Sequence, residues 1–481
     1  MARANEAGAA AAMLIDDCLS VRAGHLWIEE CDAVELAARF GTPVYVVAEN
    51  QLRRNARRLV RAFSDQWPGG VRVLPSIKAN HVLALRRILT SEGLGCDTFG
   101  QAELWAALAC GVPPALISVN GTGKSAGLIE KAVAAGCRIT LDSPREFDLA
   151  LAAARRLGRT AHLRVRIRPD LASLSRIASD FSAEGDSIAQ IAHRYKPGIP
   201  MADLLPLGRR ALATGEVDLL GVHAHFSRHT RRADVWAAMM QAFGDAVGKL
   251  SQAWGGWQPR ELDIGGGLPA GRDPTGRAIP RVAADASPTP SAERYAEVIT
   301  TSLTESLAGY GISASGVTLE IEPGRSCYAD AGVHLSRVIN VKTETAHPPV
   351  RFVELDTTEA FLLDTHLEHN RWSHVVASRA AQPPAIKADL VGASCGFDTI
   401  VPDAGLPEVA PGDVVAFLDT GAYQEAYASN FNALPRPATV LVRDAVATVV
   451  RRAETIEDVF RRDLGFAPGA ADGQGGTEES G

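Results

Sequence analysis

From Thr42 onward the sequence repeats one unit: a short β-branched run, then a longer segment with apolar residues at helical spacing. That beat favours parallel strands joined by crossover helices. Thr42 to Val47 reads as a strand and Asn50 to Phe63 as the helix after it. The beat recurs in Val71 to Ile77 with His81 to Leu89, Gly95 to Thr98 with Gln101 to Leu108, and Leu116 to Val119 with Gly127 to Ala135. Further strands are predicted at Arg138 to Leu141, His162 to Ile167, Gly221 to His225, Glu261 to Ile264 and Val317 to Glu322. Counted from Val71, these are more strands than a small open sheet places comfortably. The pattern predicts closure into a (β/α)8 TIM-like barrel, with a doubly wound sheet as the alternative.

After Val333 the texture changes to strands separated by turns: Arg337 to Val341, Val350 to Leu355, Ala385 to Gly392, Asp413 to Leu418 and Ala438 to Arg443. This predicts a C-terminal, mostly-β domain. Residues 1–41 are expected to form an N-terminal extension that contributes a strand to the β domain, 42–333 the barrel, 334–466 the β domain and 467–481 a disordered polar tail. Ala270 to Pro290, rich in Gly, Pro and Asp, reads equally as a surface loop or a lid over the barrel mouth.

The 481 residues leave room for two domains of ordinary size. The net charge of −7 is spread without blocks of one sign, so nucleic acid is not an expected partner. Seven scattered cysteines with no CxxC pair suggest neither a disulfide framework nor a zinc site, and fit reduced thiols in a cytoplasm. The apolar stretch after Glu6 is short and is followed by Asp16 and Asp17, which does not resemble a secretory signal. No run of about 18 apolar residues predicts a membrane span.

Three segments carry most of the chemistry. In SIKAN, Lys78 closes an apolar strand at the face of a parallel barrel where active sites collect; burial would lower its ammonium pKa and free the amine to form a Schiff base. A solvated strand end is the ordinary alternative. In DIGGGLP, Gly265, Gly266 and Gly267 follow a strand, so the backbone can approach a phosphate and turn N–H groups towards it; a tight turn explains them as well. In EIEPGRS, Arg325 can hold a phosphate while Glu322 hydrogen-bonds a pyridine nitrogen; a plain ion pair competes. Two phosphate-binding devices and a strand-end lysine in one barrel are what pyridoxal phosphate needs.

GVHAHFS places His223 and His225 on one face of a strand, where one can stack on a cofactor ring. Zinc ligation is the lesser option, since no third ligand has clear spacing. GASCGFD and GAYQEAYASNFN present Cys395 and Tyr423 on small-residue turns, where core filling and half-buried packing are the usual roles.

In this order, from TPVYV at Thr42 to PRPATVLV ending at Val442, the segments resemble the alanine-racemase-type barrel decarboxylases, which include diaminopimelate, ornithine and arginine decarboxylases. The resemblance implies pyridoxal 5'-phosphate as cofactor, an amino acid as substrate, and a head-to-tail homodimer with shared active sites. Lys78 matches the lysine that carries the cofactor, and His225 the histidine stacked on its ring. Asp97 and Glu103 match acids near the lysine, and Arg166 an arginine beneath the ring. Gly265, Gly266, Gly267, Gly324 and Arg325, helped by Tyr423, match the phosphate cradle. Glu322 matches the partner of the pyridine nitrogen, and Cys395 the proton donor supplied by the neighbouring subunit.

Three departures bear on the substrate. The diamine decarboxylases follow their cysteine with an acid that reads a distal ammonium; here Gly396 and Phe397 follow, and Asp398 is the next acid. The usual Gly-Ser after the stacking histidine is replaced by Ser227 and Arg228. DTTEAFLLDTHLEHNRW, from Asp356 to Trp372, lacks the arginine and tyrosine pattern that grips a distal carboxylate. Substrate choice is therefore expected to fall to Glu359, His366, Glu368, His369, Arg371 and Asp398, with Arg325 and Tyr423, although charged surface positions explain several of these equally. An amino-acid racemase would share the barrel but resembles this chain less, because that branch places an arginine where Glu322 stands. Genuine diaminopimelate decarboxylase activity and a non-catalytic, partner-binding relative are the remaining alternatives.

Overall fold

The computed structural model describes residues 13–14, 17–168, 196–227, 230–270, 289–345, 349–363, 365 and 372–464. Most of the predicted lid segment, the 467–481 tail, Arg228, His366, Glu368, His369 and Arg371 fall outside them.

The chain opens with four short antiparallel strands, β1 (Met13–Leu14), β2 (Leu19–Arg22), β3 (His25–Ile28) and β4 (Cys31–Asp32). They form a sheet of their own rather than adding a strand to the C-terminal one, as had been expected. Leu19, Leu26 and Ile28 share a buried core with residues of the second domain.

Eight parallel strands build the barrel: β6 (Val71–Val73), β7 (Cys96–Thr98), β8 (Ile117–Val119), β9 (Arg138–Leu141), β10 (Ala161–Arg166), β11 (Val217–His223), β12 (Glu261–Asp263) and β13 (Thr318–Ile321). Their order is β6-β13-β12-β11-β10-β9-β8-β7, and a bridge between Ser76 and Asp97 ties the β6 end to β7. A doubly wound sheet is thereby excluded. Helices cover the outside, so most residues of these strands are buried on both faces, including the alternating charged residues of AHLRVR and ELD. The helix Glu49–Ser64 shows the covering pattern: Leu52, Ala56, Leu59 and Phe63 fall on one face and are buried. The helix Pro144–Leu157 shows the punctuation: Ser143 accepts from the Glu146 N–H, proline occupies the first turn, and Gly158 ends it in the left-handed region.

The strand at Val44–Ala48, β5, does not open the barrel as its place in the repeat suggests. It runs between β14 (Gly332–Glu344), antiparallel, and β20 (Ala438–Arg443), parallel, in the second domain. All five residues of VYVVA are buried, which suits a central strand in either sheet; the local pattern does not choose between them. The barrel therefore starts at β6. The rest of the second domain comprises β15 (Val350–Leu355), β16 (His374–Val376), β17 (Ile386–Val391), β18 (Thr399–Leu406), β19 (Val414–Leu418) and β21 (Val446–Arg451). No helix among the described residues is long and apolar enough to cross a membrane.

Candidate active site

Lys78 sits in a single 3-10 turn, Ile77–Ala79, just beyond β6. Its Nζ lies 2.8 Å from Oδ2 of Asp97, the central residue of β7. Asp97 is buried and also accepts from Ser76 Oγ at 2.7 Å and Asn120 Nδ2 at 2.8 Å. Burial opposes its charge, but Lys78 and these hydrogen bonds hold the carboxyl down at about 2. For Lys78, burial works to lower the ammonium pKa; the Asp97 and Glu322 carboxylates outweigh it, and the pKa ends above its usual value. The lowered pKa expected from burial alone is thus reversed by neighbouring charge.

Glu322 follows β13 and is buried, and burial, with the Asp97 charge adding to it, pushes its carboxyl up to about 7. Asn120 Nδ2 donates to Glu322 Oε1 as well as to Asp97. His223 Nε2 stands 3.6 Å from the same Glu322 oxygen. Burial holds the His223 ring neutral, with a pKa lowered to about 3, and neither ring nitrogen has a hydrogen-bond partner among the described residues. His223, Asp263 and Glu322 bring candidate ligand atoms within 4.8 Å of one another. The Arg164 guanidinium already stands 2.9 Å from Asp263 Oδ2, so the protein supplies the balancing positive charge itself.

His225 lies on the turn after β11 and accepts the Gly266 N–H on Nδ1 at 3.0 Å. Burial, and then the charges of Lys78 and Arg166, keep the imidazole neutral, with a pKa well below its usual value. Arg166 is buried at the end of β10.

The glycine turn follows β12. Gly265 has φ +70 and Gly267 φ +102, in the region that favours glycine. A Cβ on Gly265 would stand 2.4 Å from His225 Nδ1, and one on Gly267 2.5 Å from the Ser227 side chain. Glu322 N–H donates to Gly265 O at 2.9 Å, which joins this turn to the Glu322-Pro323-Gly324 turn. There a Cβ on Gly324 would meet the Tyr423 hydroxyl at 2.7 Å, and the Arg325 guanidinium lies 4.3 Å from the Tyr423 ring centre.

The structure thus gathers Lys78, Asp97, Arg166, His225, Gly265, Gly266, Gly267, Glu322, Gly324, Arg325 and Tyr423 around the carboxyl ends of the barrel strands. These residues fit pyridoxal phosphate: an amine for its aldehyde, turns without Cβ atoms and an arginine for its phosphate, and a buried acid for its ring nitrogen. Glu103 plays a local part, accepting the Phe99 N–H at 2.6 Å at the start of the helix Gln101–Ala109. Asn120 and Ser118 were not singled out from the sequence; a polar residue within β8 and another directly after it are the signals they offer.

Cys395, Glu359 and Asp398 form a second group on the β domain. Cys395 is exposed, and its N–H donates to Asn432 Oδ1 at 3.1 Å. Asp398 follows on the same loop. Its carboxylate turns inward, 2% exposed, where Oδ1 accepts the Glu359 N–H at 2.6 Å and Oδ2 the Ser394 N–H at 2.8 Å. The left-handed backbone at Asp398, φ 44, accompanies this inward turn, which ties the cysteine loop to the Glu359 turn.

A closed parallel barrel with a strand-end lysine, a buried acid and a glycine cradle at one mouth defines a pyridoxal-phosphate enzyme of the barrel class. The model of the pyridoxal-dependent decarboxylases, pyridoxal binding domain, matches residues 50–329, and the chain belongs to that family. It is a pyridoxal-phosphate-dependent amino-acid decarboxylase. The diaminopimelate decarboxylase of Methanothermobacter thermautotrophicus is 31% identical over 442 residues, covering 91% of this chain and 95% of that protein. The enzyme of the same name from Zymomonas mobilis is 28% identical, covering 92% and 97%. The crystal structure of diaminopimelate decarboxylase from M. jannaschii in complex with L-lysine superposes with a TM-score of 0.80 at 26% identity, covering 95% of this chain and 99% of that one.

Proposed function

We propose that the chain removes the α-carboxylate of an amino acid whose side chain is read differently from that of a diamine. The observation that carries this is the cysteine loop: Gly396 follows Cys395, and the next acid, Asp398, has both oxygens on backbone N–H groups. No acid at these two positions is left to meet a distal ammonium. Glu359, on the turn that Asp398 anchors, is the candidate to read the side chain in its stead.

Lys78 holds the cofactor, with Asp97 as its counter-charge. The glycines at 265–267, Gly324, Arg325 and Tyr423 would hold the phosphate, His225 would lie against the ring with Arg166 beside the site, and Glu322 would meet the ring nitrogen. When bound, the cofactor supplies an electron sink for the pair left on Cα as CO2 departs. Cys395, exposed on this chain beside the 99% exposed Phe397, serves the site of a second copy and returns the proton to Cα. The homodimer follows from that assignment. Glu322, where a racemase carries an arginine, favours decarboxylation over racemisation.

A second reading, diaminopimelate decarboxylation proper, draws support from curated relatives of that name that span nearly the whole chain. The test is CO2 release by the cofactor-loaded enzyme over L- and D-amino acids, including diaminopimelate, lysine and ornithine. Release from a member without a distal ammonium is expected. Release from diaminopimelate alone would favour the second reading, and loss of α-proton chirality without CO2 would make the protein a racemase.

A further inference from the structure

The Asn120 amide joins two acids that carry separate duties. It is buried directly after β8, where its backbone N–H donates to Thr98 O at 2.8 Å. Its Nδ2 donates to Asp97 Oδ1 at 2.8 Å and to Glu322 Oε1. An amide nitrogen has two protons, so both are spent on carboxylates.

The orientation of the amide is set from behind. Arg164 donates to Ser118 Oγ, and Ser118 Oγ lies 3.0 Å from Asn120 Oδ1. A guanidinium only donates, so the Ser118 hydroxyl accepts from it and passes its own proton to Asn120 Oδ1. The amide nitrogen therefore faces the two acids. The chain Arg164, Ser118, Asn120 ends on the counter-charge of Lys78 and on Glu322, the acid assigned to the ring nitrogen.

We propose that Asn120 is a positioning residue that aims the Glu322 carboxylate and stabilises its charged form. This rests on the assignment of Glu322 to the ring nitrogen. The groups facing Glu322 divide in sign: Asp97 from β7 and Asp263 from β12 are acids, Lys78 and Arg164 are cations, and the buried His223 from β11 is neutral. Asp263 is itself pushed well up, by burial and then by the Glu322 charge, while Arg164 works to hold it down. Hydrogen bonds to a carboxylate favour its charged form. Without the amide, Glu322 keeps its burial and the Asp97 charge but loses a donor, and it must then bind its proton more tightly.

The readout is infrared absorption of the cofactor-loaded protein against pH, following the C=O stretch of protonated Glu322, identified as the band missing from Glu322→Gln. In Asn120→Ala its midpoint is expected to rise by about one pH unit, a tenfold gain in proton affinity. Asn120→Ser, which keeps one donor, should rise by less and serves if the alanine variant does not fold. An unchanged midpoint in either folded, loaded variant overturns the role of Asn120 alone. A wild-type protein that shows no visible cofactor band would instead overturn the site assignment on which the inference stands.

Discussion

Tyr423 donates its backbone N–H to the carbonyl of Ala79 at 2.6 Å, one residue beyond Lys78. Asn80 Nδ2 reaches back to Gly421 O at 2.9 Å, so the second domain is fastened to the lysine turn by bonds running both ways. Lys78 is thus held between two domains: Ser76 N–H bonds Pro323 O from the barrel side at 3.1 Å, and the Gly421-Ala422-Tyr423 turn closes from the other. The barrel supplies the chemistry, and the β domain fixes where its lysine stands.

The Lys78–Asp97 pair makes cofactor capture depend on pH. The neutral amine is the nucleophile. Because Lys78 is raised above its usual pKa, its neutral fraction should grow about tenfold per pH unit throughout the neutral range. Capture of pyridoxal phosphate by the apo-protein should accelerate accordingly in stopped-flow absorbance. Asp97→Asn removes the main support of the ammonium, lets burial lower its pKa, and should bring the plateau to lower pH. A wild-type rate flat with pH would contradict this.

The glycine turn has no room for a side chain. Gly265→Ala would place a residue at φ +70, at a cost of about 1–2 kcal/mol. It would also press a methyl against His225 Nδ1, the atom that accepts the Gly266 N–H. Cofactor affinity, measured by equilibrium dialysis, should fall by at least about tenfold, which is 1.4 kcal/mol. The circular dichroism of the barrel should stay unchanged, and full affinity in the variant would exclude this turn from the cradle.

Asp398 acts at a distance from the cofactor. Asp398→Ala leaves the Glu359 and Ser394 N–H groups without their acceptor, at about 1–3 kcal/mol for each that stays buried. Turnover should fall while cofactor affinity holds, because the disturbance is confined to the loops carrying Glu359 and Cys395. Equal losses in both quantities would mean that Asp398 supports the whole fold instead.

The barrel was legible because eight crossover units impose their period on the sequence: strand Arg138–Leu141 falls within its predicted bounds, and the others lie within a few residues of theirs. Val44–Ala48 was read as a strand but given to the wrong sheet, since an apolar β-branched run records burial and not partners. Strands Thr399–Leu406 and Val446–Arg451 went unread; the first contains Pro402 and Gly405, which read as turn residues. In the site, motif-borne residues such as Lys78 and Gly265 stood out, whereas Asn120 is a lone amide whose meaning comes from acids on two other strands. The direction of the Lys78 shift was hidden for the same reason, because Asp97 and Glu322 approach it only through barrel closure. The inward turn of Asp398 was not legible, because it depends on backbone N–H groups of Glu359 and Ser394 that the sequence does not bring together.

Borohydride reduction of the loaded protein followed by peptide mass mapping tests most directly whether Lys78 carries pyridoxal phosphate. The reduced cofactor should remain on the peptide containing Lys78, and Lys78→Ala should retain none. Cofactor fixed to another lysine, or to no peptide in a protein that shows the visible band, would contradict the account.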